Sequence, residues 1–235
     1  MNLADLLQHI DSLPDPSKDA MPPPVMASSE DMALSAESAA LVSSLLNPKK
    51  DTEKAVKRVL EGRTFGGKFH KDGDYVTLVG GMQVWQKKVS DFVGEISIRS
   101  ASHRVHAYVE VKGVSPGNPF QFGRLDKANN PNQPSQQEKL TEAYERKNIV
   151  WLAIGWWDAM PRTQPIDFGG HKKWKKDDLN LTISLVRWSR WLEIYNTHKF
   201  RSLRQRDRHL LSDCSICKEK GVWRLCDDHW WKEFA

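Results

Sequence analysis

By type and spacing, the residues of this chain best suited to chemistry are Asp91, Glu110 and Lys112. They belong to two apolar-alternating runs, Asp91 to Ile98 and Arg104 to Lys112, separated by the small polar stretch Arg99 to His103. Side chains alternate along a strand, so Val105, Ala107, Val109 and Val111 share one face while His106, Tyr108, Glu110 and Lys112 share the other. In the first run Phe92, Gly94, Ile96 and Ile98 take the apolar side and leave Asp91, Val93, Glu95 and Ser97 opposite. The intervening stretch is turn-sized, and the runs are predicted to form a hairpin. Antiparallel partners have residue numbers of constant sum. Sums of 201 or 203 set Asp91 against Glu110 or Lys112, whereas 202 would turn Phe92 to the polar face, which burial opposes. Two carboxylates and one ammonium therefore converge at one end of the hairpin.

Two carboxylates on adjacent strands, facing solvent, offer hard oxygen ligands suited to Mg²⁺ or Mn²⁺. Mg²⁺ favours one or two carboxylates plus substrate phosphate. It would polarise a scissile phosphodiester and help generate hydroxide. Lys112 would orient the attacking water or stabilise charge developing on the phosphorane. The alternative is an ordinary Glu–Lys pair on a surface strand. Glu-x-Lys alone is weak; Asp91 on the same face is what makes the pattern informative.

A second constellation closes the chain. Cys214-x-x-Cys217, eight residues, then Cys226-x-x-His229 uses all three cysteines. Two short pairs of soft or borderline ligands predict a closed, tetrahedral, structural Zn²⁺ site, in a module that would need its metal to fold. His209 is an alternative ligand. Reduced cysteines beside an incidental histidine are the bland reading.

The elements that must position these residues follow from periodicity. Asp51 to Leu60 reads as a helix, with Ala55, Val56, Val59 and Leu60 inward. Strands are predicted at Tyr75–Val79, Met82–Lys87, Phe92–Ile98, Arg104–Lys112 and Ile149–Trp156. A Gly-, Asn- and Pro-rich loop runs from Gly113 to Pro134. Ser135 and Glu138 form a capping box for a helix reaching about Arg146. A basic helical stretch is expected over Ser184–Leu211. Ahead of this body, residues 1–46 form an acidic tail with short helices and a Pro-rich linker. Leu3, Leu6, Leu7 and Ile10 make a helical stripe that is either part of a mobile tail or a docking helix for a protein partner.

Composition bounds the class. The chain has 235 residues, 35 Lys and Arg against 30 Asp and Glu, and a formal charge of +5. Residues 1–50 carry −4, so the remainder carries +9. Between His171 and Leu210 eleven basic residues face four acids. A basic body suits a polyanion, most often nucleic acid. No apolar run is long enough to span a bilayer. Three cysteines make no disulfide framework, and no signal or transit peptide opens the chain, so a cytoplasmic protein is expected.

Asp91-Phe-Val-Gly followed by Glu110-Val-Lys112 on a hairpin resembles the PD-(D/E)XK nuclease superfamily, and within it the RecU-type Holliday-junction resolvases. The resemblance covers roughly Asn47 to Trp157. It extends to the opening helix with Glu53, to Pro119-Phe120, and to Gln136-x-x-x-Leu140, with Gln137 as the alternative at that helix position. It implies that Asp91 and Glu110 bind Mg²⁺ (or Mn²⁺), that Lys112 is catalytic, and that Glu53 and Gln136 support them. The sequence departs from that family in three places: Lys49 replaces its first-helix Gly, the segment before Asp91 is short for its stalk, and the Cys-rich tail has no counterpart.

The fold expected is α/β: a restriction-endonuclease-like core, meaning a mixed central sheet flanked by helices, with a helical, zinc-binding C-terminal extension. Its parts are the tail (1–46), nuclease core (47–170), basic helical segment (171–211) and zinc module (212–235). The function expected is Mg-dependent cleavage of branched DNA such as Holliday junctions by a homodimer, whose two-fold axis supplies two active sites. The alternatives are a restriction-like or repair nuclease with another DNA target, and a non-catalytic zinc-containing DNA-binding adaptor on a nuclease-like core.

Overall fold

A computed structural model describes residues 39–61, 68–72, 75–79, 82–86, 88–97, 104–126, 134–168, 170–197 and 201–225. The chain divides into two compact units, Met1–Ser43 and Ser44–Ala235. Of the first, residues 39–43 are described and are helical. The expected Leu3–Ile10 stripe and Pro-rich linker lie outside the described residues.

The second unit is α/β. Its first helix, α1, spans Pro48–Leu60. Asn47 caps it: its side chain accepts from the Lys50 N–H at 3.1 Å, and the Asp51 carboxylate accepts from the Asn47 N–H at 2.8 Å. Pro48 follows at the position where a missing N–H costs nothing. The strands are β1 (Lys68–Lys71), β2 (Tyr75–Val79), β3 (Met82–Gln86), β4 (Phe92–Ser97), β5 (Arg104–Val114), β6 (Phe120–Gln121), β7 (Ile149–Ala159), β8 (Ile166–Phe168), β9 (His171–Lys173), β10 (Leu179–Arg187), β11 (Ser202–Leu203), β12 (Cys214–Glu219) and β13 (Val222–Leu225). Helix α2 is Gln136–Glu145 and α3 is Trp188–Thr197. Both halves of the Ser135–Glu138 capping box form.

Seven strands make one mixed sheet, ordered β1-β4-β5-β7-β10-β12-β13. β5 and β7 are parallel and are joined through α2, as a parallel pair requires. The other neighbours in it are antiparallel. β2–β3, β8–β9 and β6–β11 are separate two-stranded sheets.

Both faces of the central sheet are buried. On one, Ala55, Val56, Val59 and Leu60 of α1 pack against Val109, Val111, Trp151, Ala153 and Ile183. On the other, Leu140 of α2 and Trp188 and Trp191 of α3 pack against Leu152, Ile154 and Trp156. Among the described residues no helix is long and apolar enough to cross a membrane.

Three expectations change. Ser184–Arg187 is the end of β10, not helix, and Ile183, Ser184, Leu185 and Val186 are all buried because this strand is covered on both sides. Among the described residues of that stretch α-helix covers Trp188–Thr197, and Gln205–Leu210 is a 3-10 helix. The Gly113–Pro134 segment is not a free polar loop as far as Asp126: Phe120, Phe122 and Leu125 are buried anchors in the α2–α3 core. Finally, residues 214–225, expected in a separate module, form β12 and β13 of the main sheet.

Candidate active site

The β4–β5 hairpin takes the register whose partner numbers sum to 201, with Phe92 opposite Val109 and Ser97 opposite Arg104. Asp91 thus enters the hairpin beside Glu110. The ladder continues through it in an unusual way. The Asp91 N–H donates to the Val109 carbonyl at 3.2 Å, and its carboxylate Oδ2 accepts from the Val111 N–H at 2.9 Å. The side chain therefore replaces a backbone carbonyl at the strand end, which fixes the carboxylate in one orientation.

Three further residues, on two segments, hold this corner. Asp72, just past β1, accepts from the Val89 and Ser90 N–H groups at 2.9 and 3.1 Å and donates its own N–H to the Asp91 carbonyl. Gln136, the first residue of α2, donates through Nε2 to the Val89 carbonyl and to Glu110 Oε2, the latter at 3.2 Å. Lys139 Nζ donates to the Lys88 carbonyl at 3.4 Å. Gln137 instead accepts from Trp191 Nε1 at 3.4 Å, so Gln136 is the glutamine at the site.

The carboxylates are buried rather than solvent-facing, which corrects the expectation from alternation alone. Asp91 is 0% and Glu110 2% exposed. The polar face of β5 at this point is covered because α2 returns across it. Lysines balance the buried charge. Lys112 Nζ donates to Glu110 Oε1 at 2.6 Å. Lys49 and Lys88 both reach Asp91 Oδ1, at 3.0 and 2.9 Å. Lys49 also lies 3.8 Å from Glu53, which Lys71 contacts at 3.1 Å. Three carboxylates are thus stitched together by four ammonium groups.

The two central acids are poised differently. Burial pushes Asp91 upward, but Lys49, the Lys88 hydrogen bond and the Val111 N–H outweigh it and hold its carboxyl below the usual range. Burial also pushes Glu110 upward and, helped by the charge on Asp91, prevails there over Lys112. Lys88 is raised: its own burial opposes this, but its hydrogen bond to Asp91 and the charges of Asp91, Glu110 and Glu53 prevail.

Helix α1 reaches this corner through a gap in the sheet. Gly113 and Gly155 are register partners on β5 and β7. A Cβ on Gly113 would lie 2.2 Å from the Pro48 carbonyl, and one on Gly155 would lie 2.2 Å from Thr52 Oγ1. Thr52 in turn donates to the Pro48 carbonyl at 2.6 Å and accepts from Trp157 Nε1 at 3.2 Å. The first turn of α1, with Lys49 and Glu53, is seated where side chains are missing.

The structure therefore brings together all five of Asp91, Glu110, Lys112, Glu53 and Gln136. Sequence reasoning assigned no role to Lys49, Lys71, Lys88 or Asp72. The i,i+4 spacing of Lys49 and Glu53 and the i,i+3 spacing of Lys88 and Asp91 were the available signals. Among the described residues no group of three or more His, Cys, Asp or Glu is arranged to hold a metal ion. The donor chemistry nonetheless fits a hard divalent cation, since two buried carboxylates converge and the ammonium groups on Asp91 Oδ1 occupy a position that a cation would take.

Of the zinc constellation, Cys214 and Cys217 lie among the described residues. Cys214 and Cys217 sit three apart on the regular strand β12, so their side chains leave opposite faces. Cys214 is a buried thiol packed in the α1-side core that donates to the Ser215 carbonyl at 3.5 Å, and Cys217 is disulfide-bonded. Cys226 and His229 lie outside the described residues. His209 is exposed.

No protein-family model matches the chain, and no curated protein is significantly similar to it.

Proposed function

We propose that this protein is a metal-dependent endodeoxyribonuclease with a restriction-endonuclease-like core, acting on branched DNA. The observation that supports it is the convergence of Asp91, Glu110 and Lys112 at one end of the β4–β5 hairpin, with an ordered donor on each carboxylate oxygen. The resemblance to the PD-(D/E)XK superfamily agrees with this arrangement.

Asp91 and Glu110 would hold Mg²⁺ or Mn²⁺, which when bound supplies Lewis-acid polarisation of the scissile phosphate and a more acidic water. The chain's residues divide the remaining work. The Val111 N–H keeps Asp91 aimed into the site. Gln136 ties Glu110 to the Lys88–Ser90 segment, so both carboxylates move as one body. Lys112, held at 2.6 Å from Glu110, is placed to steer the attacking water and to offset negative charge on the phosphorane. Lys88 and Lys49 neutralise Asp91 and would be free to contact phosphate if a cation took their place on Oδ1. Paired cuts in two strands require two such sites, which a two-fold dimer provides.

The test is cleavage with Mg²⁺ of a four-way junction compared with linear duplex, flap and single strand of matched sequence. Paired, symmetrical nicks confined to the junction are expected. Cleavage of the other substrates to the same extent contradicts the branched-DNA reading and keeps the hydrolytic one. Binding of DNA without cleavage in Mg²⁺ or Mn²⁺ contradicts both and leaves a DNA-binding adaptor.

A further inference from the structure

The hairpin β8–β9 does nothing visible for the core. It is a separate two-stranded sheet, and five of its six strand residues are exposed. A short isolated hairpin is marginal in water, so a chain that keeps one is expected to use it. Phe168 and His171 are the last pair before its turn at Gly170. The Asp167 carboxylate accepts from the Gly170 N–H at 2.9 Å and pins that turn. Phe168 is 38% exposed, one of the few large apolar side chains that face solvent among the described residues. Cross-strand pairing puts Phe168, His171, Ile166 and Lys173 on one face. Between residues 166 and 176 there are four lysines and one acid.

Its position ties it to the candidate active site. β5 and β7 run parallel, with Lys112 beside Ile154, so β7 emerges at the same end of the sheet as the Glu110–Lys112 pair. The excursion that carries β8–β9 leaves from that end. Its base is closed by the Met160 N–H on the Asp178 carbonyl at 3.0 Å and by the Leu46 N–H on the Trp174 carbonyl at 2.8 Å. Lys176 Nζ pairs with Asp51 at 3.3 Å, in the helical turn that carries Lys49 and Glu53. The hairpin is thus anchored to the same helix end that completes the acidic cluster.

We propose that β8–β9 is a nucleic-acid-binding arm, in which Phe168 stacks on an unpaired base beside the cleavage site while Lys172 and Lys173 contact backbone phosphates. It rests on the nuclease reading and supplies that site's preference for DNA with unpaired or unstacked bases. Duplex without a branch offers Phe168 no open base face, whereas phosphates are present in every substrate.

The experiment uses the full chain and measures binding, without divalent metal, to a four-way junction, a single strand and a linear duplex over a range of salt concentrations. Phe168→Ala is expected to weaken binding to the junction and single strand roughly tenfold and to leave duplex binding unchanged. Phe168→Trp is expected to restore it. Lys172→Gln with Lys173→Gln is expected to weaken all three and to flatten the duplex salt dependence by about 1.8 in logarithmic slope. Because these side chains are exposed, melting temperatures should not move. If Phe168→Ala binds every substrate as the wild type does, or weakens all three equally, the arm is not a base-stacking device. Wild-type cleavage with Mg²⁺ separates the two readings. Cleavage that persists beside a silent Phe168 sinks the arm alone, and absence of any cleavage sinks the nuclease reading on which it rests.

Discussion

Gly113 and Gly155 face each other on parallel strands, and together they form the seat for the first turn of α1. They let the helix end sit where Lys49 reaches both Asp91 and Glu53. Gly113 meets backbone of Pro48 and Lys49, which cannot rotate away, whereas Gly155 meets only the Thr52 side chain. Gly113→Ala is therefore expected to be the more damaging. Overpacking of this kind costs about 1–3 kcal/mol, enough to lower the melting temperature by several degrees and to reduce cleavage. Gly155→Ala should be milder and partly rescued by Thr52→Ala, while Gly113→Ala should gain nothing from that second change. Equal damage from the two glycine variants, measured by thermal melting, would show that the seat is not what constrains α1.

Lys49 and Lys88 share Asp91 Oδ1, the oxygen for which the proposed cation would have to compete. Lys49→Met removes the charge that most opposes Asp91's burial. The metal-free protein should lose stability, by about 1 kcal/mol once solvent screening of the half-exposed lysine is allowed for. Asp91's carboxyl is held below its ordinary value, so the stability it contributes is present at neutral pH and fades as pH falls through that lowered value. The variant should therefore differ from wild type most at neutral pH and least in strong acid. The net charge of the cluster also becomes more negative, so Mg²⁺ should raise the melting temperature more in Lys49→Met than in wild type. A smaller Mg²⁺ effect in the variant would mean that Lys49 is not in the cation's way.

Glu110 carries the opposite sign. Burial lifts its carboxyl above the ordinary value. The folded protein holds that proton more tightly than the unfolded chain does, so stability falls as pH rises through the interval between the two. Glu110→Gln keeps the shape without the charge. Without metal its melting temperature, relative to wild type, should improve as pH is raised from the acid to the neutral side. A difference independent of pH would show that Glu110 does not titrate across that range.

Much of this site was legible in the sequence, and for a definite reason. Phe92 and Asp91 are adjacent residues of opposite character, so only even-handed alternation could bury one and orient the other. That fixed the hairpin register to two choices, and the structure takes the first. Ser135 and Glu138 likewise announced α2 through a local hydrogen-bond pattern. What escaped was set by non-local packing. The burial of Glu110 depends on α2 crossing back over β5, and the placement of Lys49 depends on two glycines 42 residues apart that look like any others in a strand. The strand placement of Cys214 and Cys217 was likewise not legible. Their spacing is suggestive only if the chain turns between them, and Cys214–Glu219 is a strand whose register on β10 holds Cys214 in the core.

That placement makes its own prediction. Cys214 packs with Ala55, Ile183, Leu185 and Ile216 as a small apolar side chain. Cys214→Val should keep the fold, at a cost below about 1.5 kcal/mol, and should not change the zinc content of the purified protein. Loss of bound zinc together with unfolding in that variant would instead make Cys214 a ligand.

The most direct test of the central claim is Mg²⁺-dependent cleavage by wild type, Asp91→Asn, Glu110→Gln and Lys112→Met on one branched substrate, with metal-free DNA binding measured alongside. The arrangement of the three side chains predicts cleavage by wild type that disappears in every variant while binding survives. Wild-type cleavage that persists in chelator, or any of the three variants cutting at the wild-type rate, would contradict it.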